Sequence, residues 1–207
     1  MLEPGQRILE GVLTTLSPGG ELNVAPMGPI VGADPAWFHL RPFRDSTTFR
    51  NLRDTRAGVF HVTDDVLLIA RGALGLIDPS NLDAQLDAQP AQAVRGVVLR
   101  GCCRWAELEV VACDDATERT HVTARAVATG RGPEFFGFNR AMHAVLEAAI
   151  LATRLHLTGA APVLAELDRL ATVVGKTGSS REHEALGLIR ERVLSWQAPA
   201  AAAGVTT

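Results

Sequence analysis

Hydroxyl and guanidinium side chains are concentrated between residues 41 and 51, in a combination that suits the binding of a phosphate group. Ser46, Thr47 and Thr48 stand in a row at the predicted start of a short helix, where Ser46 can cap a backbone N–H of the first turn. Unpaired amides at a helix start attract a phosphate, and nearby cations strengthen that attraction. The nearby cations are Arg41, Arg44 and Arg50. A capped helix between two strands explains the same residues without a ligand, so spacing alone leaves both interpretations open.

The flanking segments predict β-structure around this helix. Strand-like runs occupy residues 37–43 and 58–62, and residues 7–16 and 21–26 predict a hairpin around the turn at 17–20. Pro26 and Pro29 remove two backbone donors, so regular pairing is expected to stop there. A chain that leaves a sheet in this way would expose backbone amides and carbonyls.

The rest of the chain changes from β-rich to helical composition. Two β-branched runs, 96–112 and 117–129, are predicted to be long strands that close a barrel. Residues 78–90 are predicted to be a surface excursion. The predicted helices are Asp64 to Ala70, with its aspartates in the first turn, Asn139 to Leu157, Pro162 to Val174 and Arg181 to Trp196, and the tail 198–207 is expected to be disordered.

Composition excludes several classes of protein. The net charge of −3 gives no general attraction to nucleic acid or to an anionic membrane. No apolar run reaches the roughly 20 residues that a membrane span needs. The first residues lack the basic-then-apolar pattern of a signal peptide, so the expected location is the cytoplasm.

Other catalytic and metal motifs are absent from the sequence. The three cysteines, Cys102, Cys103 and Cys113, have no zinc spacing and are expected to be reduced strand residues. The histidines form no metal-binding motif, and no G-x-S-x-G elbow is present. Gly175-Lys176-Thr177 is similar to part of a nucleotide-binding loop, but position 170 is Leu170 instead of the required glycine, so a capped helix start is the better interpretation.

A polar stripe runs along the predicted helix that begins at Asn139. Arg140, His143, Glu147 and Arg154 fall on one face of an otherwise apolar cylinder. A solvated face explains the stripe without any function. A cation in the first turn opposes the helix dipole, however, so an anion near Arg140 would explain its position.

Three motifs follow one another along the chain: Asn23-Val24-Ala25-Pro26-Met27-Gly28-Pro29, then Ser46-x-Thr48-x-x-Asn51-Leu52, then Gly58-Val59-Phe60-His61-Val62. Their order resembles the flavin-reductase-like, FMN-binding split β-barrel proteins, and more narrowly the uncharacterised family called domain of unknown function 447. The narrower resemblance extends to residues 136–141 and 176–178, and so spans nearly the whole chain.

The resemblance implies a mainly β, α+β fold: a split β-barrel over residues 1–135, with a C-terminal helical appendage over 136–197 that packs on the barrel. It also implies non-covalent FMN binding in a homodimer, with the phosphate at the start of the helix, Asn51 bracing the loop and backbone groups of 25–28 lining the ring. The residues it assigns to FMN are Asn23, Ala25, Pro26, Met27, Gly28, Arg41, Phe43, Arg44, Ser46, Thr47, Thr48, Asn51, Arg140 and His143.

Two functions follow from the resemblance. The first is an FMN-dependent oxidoreductase of the flavin reductase-like class that acts on a small molecule, such as a flavin or a pterin-like compound. The second is a module that stores or senses FMN without turnover. The sequence identifies no protein acid or base, no electron donor and no metal site.

Overall fold

The computed structural model describes residues 2–33, 36–77 and 87–196, and these residues form ten strands and six helices. The strands are β1 Arg7–Ile8, β2 Gly11–Leu16, β3 Leu22–Met27, β4 Ile30–Val31, β5 Trp37–Leu40, β6 Ala57–Val62, β7 Ala88–Pro90, β8 Val97–Leu99, β9 Arg104–Asp114 and β10 His121–Arg131. The helices are α1 Thr47–Thr55, α2 Val66–Leu74, α3 Arg140–Ala152, α4 Leu155–Thr158, α5 Ala160–Thr177 and α6 Ser180–Ser195. The predicted tail and most of the predicted surface excursion lie outside the described residues.

Eight strands form one antiparallel sheet in the order β1-β4-β5-β10-β9-β6-β2-β3. Alternate residues of each strand point to one face, where they form an apolar core with two residues of α1. Phe38 and Phe60 meet in this core with ring centroids 5.6 Å apart. The core residues are Leu13, Val31, Phe38, Leu40, Phe49, Leu52, Phe60, Ala106, Leu108, Val110, Val122 and Ala124.

The predicted N-terminal hairpin is confirmed: β2 pairs with β3 around a turn in which the Gly20 N–H donates to the Ser17 carbonyl. The first predicted closing strand is wrong over its first third. Residues 97–99 pair with β7 in a separate two-stranded sheet, and the chain turns before β9 begins. The β-branched run therefore serves two different sheets, which periodicity alone does not reveal.

Three buried polar side chains hold the β7–β8 hairpin against the larger sheet. The Thr14 hydroxyl donates to the Val97 carbonyl at 2.6 Å, and the Leu99 N–H donates to Nε2 of His61 at 3.0 Å. The carboxylate of Glu107 accepts three backbone N–H groups from residues 92–94 at 3.1, 2.6 and 3.2 Å. All three side chains are buried, and the hydrogen bond between Leu99 and His61 is buried at both ends.

The chain divides into two compact units, which are residues 1–65 with 75–136, and residues 66–74 with 137–207. The helix α2 thus belongs to the second unit, where it contacts α3 and α6. The core of the second unit is built from small and branched side chains on facing helices, including Val145, Leu167 and Ile189. No helix within the described ranges is long and apolar enough to cross a membrane.

Several predicted helix boundaries are wrong for local reasons. The helix predicted to run to Leu157 ends at Ala152, and a short α4 follows the break at Arg154. Gly175-Lys176-Thr177 ends α5 instead of starting a helix, because the cap of α6 is Ser179, which forms a capping box with Glu182. Asp64 and Asp65 precede α2 and are not in its first turn.

Candidate functional site

Ser46 caps the start of α1, as the sequence predicts. Its hydroxyl accepts the Phe49 N–H at 3.1 Å and donates to the Phe43 carbonyl at 2.6 Å. The left-handed Arg56 ends the helix, where its N–H donates to the Leu52 carbonyl. Ser46 therefore uses its proton and one lone pair within the protein, which makes it a structural part of the site.

The first turn of α1 keeps two backbone donors available. The Phe49 N–H is taken by the Ser46 cap, and the Arg50 N–H donates to the Ser46 carbonyl at 3.2 Å. The amides of Thr47 and Thr48 have no hydrogen-bond partner in the part of the chain that the structure describes. No acidic side chain stands in this turn. The helix start therefore combines free N–H donors with the positive end of the helix dipole.

The two threonines of this turn point in different directions. Thr47 is exposed, and its hydroxyl accepts from the Arg50 guanidinium at 3.1 Å, while that guanidinium also donates to the Asp45 carbonyl. Thr48 is only 4 % exposed, and its hydroxyl accepts from Nδ2 of Asn23 at 3.1 Å. The first hydroxyl thus belongs to the surface and the second to the interior of the barrel unit.

A polar cluster of Thr15, Asn23, Thr48 and Asn51 lies beneath the start of α1. Nδ2 of Asn23 donates to the Thr15 hydroxyl at 3.2 Å, and Nδ2 of Asn51 donates to the same hydroxyl at 3.1 Å. The cluster joins β2, β3 and α1. The side chain of Asn51 thus contacts strand β2, and its predicted role of bracing the loop stays a prediction. Its partner, Thr15, could not be identified from the sequence because it is one residue of a β-branched strand.

Strand β3 is one of the two edges of the sheet, and within the described residues it pairs with β2 alone. The Ser17 N–H donates to the Glu21 carbonyl, so this pair is hydrogen-bonded, and hydrogen-bonded and non-hydrogen-bonded pairs alternate from there along the two strands. The backbone groups of Ala25 and Met27 therefore face β2. Those of Val24 and Pro26 face the open edge. Pro26 lies within β3, so the prediction that regular pairing stops at this residue is wrong. The missing N–H of Pro26 falls at a position that makes no hydrogen bond to β2.

Gly28 follows β3 where the chain approaches its own N-terminal segment. A Cβ at this position would lie 2.8 Å from Cγ2 of Ile8 and 3.1 Å from a carboxylate oxygen of Glu10, so a larger residue would have to displace these side chains. The Leu9 N–H donates to the Pro29 carbonyl at 3.0 Å on the same side. Residues 23–28 are all half-buried, so they are accessible in part along the edge.

Besides Arg50, three arginines lie in or against the segment that leads into α1, namely Arg41, Arg44 and Arg119. The side chains of Arg41 and Arg44 are exposed, and neither pairs with a carboxylate in the described part of the chain. Arg119 places its guanidinium 3.7 Å from the centre of the Phe43 ring and donates to the Arg41 carbonyl at 3.0 Å. Arg119 lies in the turn between β9 and β10, far along the chain from α1, so the sequence alone did not identify it.

Arg140 and His143 belong to the second unit, so their predicted role beside the phosphate stays a prediction. Both are exposed in the first turn of α3, where His143 stacks on Phe138 with centroids 6.0 Å apart. Asn139 caps this helix, since its Oδ1 accepts the Ala141 and Met142 amides at 2.8 and 3.3 Å. Glu147 and Arg154 are exposed as well, which fits a solvated stripe.

The cysteines show no activated thiol. Burial raises the pKa of Cys102 to about 12, because the thiolate would lose its hydration. Cys102 and Cys103 lie in the turn between β8 and β9, so their expected strand position is wrong, whereas Cys113 lies in β9. All three are free. Among the described residues, no group of histidine, cysteine and acidic side chains is placed to hold a metal ion.

Comparison with solved structures identifies the fold. An FMN-bound protein from Methanosarcina mazei, of the family called DUF447, is 24% identical over 89% of this chain and 94% of its own, with a TM-score of 0.76. Nitrilotriacetate monooxygenase component B from Bacillus cereus is 17% identical over 61% of this chain and 70% of its own, with a TM-score of 0.50. These similarities confirm the predicted mainly β, flavin reductase-like split β-barrel fold with added helices.

Comparison with protein families identifies the family. None of the curated proteins compared with this sequence matches it. Residues 9–131 match the model described as the N-terminal domain of a protein of unknown function, DUF447. Residues 139–191 match a second model, described as protein of unknown function DUF447. The two models follow one another along most of the sequence, and the chain belongs to the DUF447 family.

Proposed function

We propose that this protein binds FMN without a covalent bond, with the phosphate at the start of α1. The observation that carries the proposal is the pair of free backbone amides at Thr47 and Thr48, beside the buried hydroxyl of Thr48. These groups fit a phosphate because they are all donors, and the helix dipole favours the negative charge. The FMN-bound relative of the same family supports the choice of ligand.

The arginines around the helix supply the counter-charge. Arg50 already lies beside Thr47, with its guanidinium donating to the threonine hydroxyl at 3.1 Å. Arg41 and Arg44 have exposed guanidinium groups in the segment that enters α1 and can turn toward a dianion.

The flavin ring is proposed to lie along the open edge of β3. Val24 offers both an N–H and a carbonyl at this edge, and Pro26 offers a carbonyl alone. This mixture of one donor and two acceptors suits the polar edge of an isoalloxazine ring. When bound, FMN would supply hydride or electron transfer, while the protein holds and orients it.

The activity proposed for this site is that of an oxidoreductase of the flavin reductase-like class acting on a small molecule, such as a flavin or a pterin-like compound. The barrel fold of this protein is similar to that of a monooxygenase component. The alternative is an FMN-storage or FMN-sensing module. Rapid bleaching of the bound flavin by NADH or NADPH, followed by reoxidation with an added acceptor, would favour the enzyme. Absence of turnover with every reductant would favour the module.

A homodimer in the cytoplasm is the proposed working form. Three large apolar side chains on adjacent strands are exposed, namely Trp37 on β5, Val111 on β9 and Val127 on β10. Contact with a second copy would remove this apolar surface from water. The electron donor and the small-molecule substrate would then be the other partners.

Titration with FMN tests the proposal. The purified protein should be yellow or become so on addition of FMN, and acid should release the flavin unchanged. Binding should quench the flavin fluorescence and should be stronger for FMN than for riboflavin, because riboflavin lacks the phosphate. A protein that shows no quenching with either ligand would refute the proposed function.

A further inference from the structure

The side-chain amide of Asn23 connects the edge strand to the start of α1. Both protons of its Nδ2 are used, one toward the Thr48 hydroxyl at 3.1 Å and one toward the Thr15 hydroxyl at 3.2 Å. Asn23 belongs to β3 and Thr48 to α1. This amide therefore links the segment proposed to line the ring with the helix proposed to hold the phosphate.

Donation by Asn23 determines where the Thr48 proton can point. A hydroxyl has one proton and two lone pairs, and the Asn23 N–H occupies one lone pair. The proton must point away from that donor, and no acceptor for it exists among the described residues. The hydroxyl of Thr48, a residue that is only 4 % exposed, then offers its proton in the same turn as two free backbone amides.

Thr15 holds the Asn23 amide in place. Its hydroxyl is fully buried and accepts from both Asn23 and Asn51 at 3.2 and 3.1 Å. The orientation of Asn23 is therefore determined by protein groups below it, before any ligand binds. Such preorganisation lowers the entropy that binding must overcome.

We infer that Asn23 is a positioning residue: it orients the Thr48 hydroxyl as a donor to the phosphate and holds the β3 edge at a set distance from α1. The inference rests on the proposed function, because it needs FMN at this site. It differs from the role implied by sequence resemblance, which placed Asn23 among the residues that contact FMN. Its action passes through Thr48, so the two residues should be coupled.

A double-mutant cycle tests this coupling. Dissociation constants for FMN and riboflavin are measured for the unaltered protein, Asn23→Ala, Thr48→Val and the double variant, with thermal unfolding of each apoprotein. Asn23→Ala should weaken FMN about fivefold, the factor that one neutral hydrogen bond provides, and should weaken riboflavin less than about twofold. In the Thr48→Val background, Asn23→Ala should cause no further loss of FMN affinity.

Two further variants separate positioning from folding. Thr15→Val removes the acceptor that holds the Asn23 amide but leaves the contact between Asn23 and Thr48. It should therefore lower the unfolding temperature and weaken FMN less than Asn23→Ala does, and this loss of FMN affinity should disappear in the Thr48→Val background. If Asn23→Ala does not fold, the isosteric Asn23→Asp replaces it. The carboxylate in Asn23→Asp would draw the Thr48 proton inward. The loss of FMN affinity that Asn23→Asp causes should therefore be smaller when Thr48 is valine.

Three results would overturn the inference or its basis. Equal weakening of FMN and riboflavin by Asn23→Ala would mean that Asn23 only supports the fold. A loss of FMN affinity that is the same with and without the Thr48 hydroxyl would mean that Asn23 contacts the ligand directly. No FMN binding by the unaltered protein would instead refute the proposed function, and the titration of that protein alone distinguishes this case.

Discussion

The buried histidine of β6 predicts a loss of stability in mild acid. His61 is fully buried, Nδ1 lies 3.3 Å from the Val12 carbonyl, and Nε2 accepts the Leu99 N–H at 3.0 Å. The ring is therefore neutral, with its proton on Nδ1, and a second proton on Nε2 would face another N–H. Burial lowers the pKa of His61 from 6.5 to about 4, because the charged ring would lose its hydration.

The sign and size of the effect follow from this lowered pKa. Below pH 6.5 the unfolded chain binds a proton at His61 that the folded protein does not bind, so the free energy of unfolding falls as the pH falls. The loss continues until about pH 4, where the folded protein takes up the proton too. A pKa shift of this size corresponds to about 3 kcal/mol of unfolding free energy. This stabilisation is fully present above pH 6.5 and is lost as the pH falls to about 4.

Urea unfolding between pH 7.5 and 4 measures this dependence. His61→Gln serves as the control, since it removes the titrating group and retains a side chain that can hydrogen-bond. The variant should be less stable at pH 7.5, and its unfolding free energy should fall less steeply between pH 6.5 and 4. An unchanged pH dependence in His61→Gln would show that His61 is not responsible and would refute the reasoning.

Three further predictions concern the phosphate site, the fold and the assembly. Thr47→Glu puts a carboxylate at the proposed phosphate position and should weaken FMN at least about tenfold while riboflavin loses far less; equal losses would place the phosphate elsewhere. Glu107→Gln should lower the unfolding free energy measured in urea by about 2 kcal/mol, because the NH₂ group of the glutamine then faces backbone N–H groups. Glu109→Gln is the control: Glu109 is exposed, so this change should alter the unfolding free energy by less than about 1 kcal/mol. Light scattering at low micromolar concentration should give the mass of a dimer, and a stable monomer that binds FMN tightly would contradict the proposed homodimer.

The parts of the fold that sequence predicted depend on neighbours along the chain. The Ser46 cap acts on Phe49, three residues away, so its chemistry is visible in a short window. The β2–β3 hairpin is equally local. The α3 boundary was missed because the run through Thr153 and Arg154 contains no glycine or proline, and the helix ends there without either.

The parts that sequence did not predict depend on contacts between distant residues. Asn51 and Thr15 are 36 residues apart, and Asn23 and Thr48 are 25 apart. Neither pair has a periodic signal, because each residue also fits its own helix or strand. The buried environment of His61 arises in the same way, from a hairpin 38 residues further along the chain.

The proline in the edge strand affects how the protein behaves toward other copies of itself. An open edge presents a row of N–H and C=O groups, and such a row templates pairing with strands of other molecules. At Pro26 the outward row of β3 lacks a donor, so an incoming strand could not continue its ladder past this residue. The carbonyl of Pro26 and both backbone groups of Val24 stay available to a small planar ligand. Pro26 thus allows the edge to be left open for a ligand while protecting the protein from strand-to-strand aggregation.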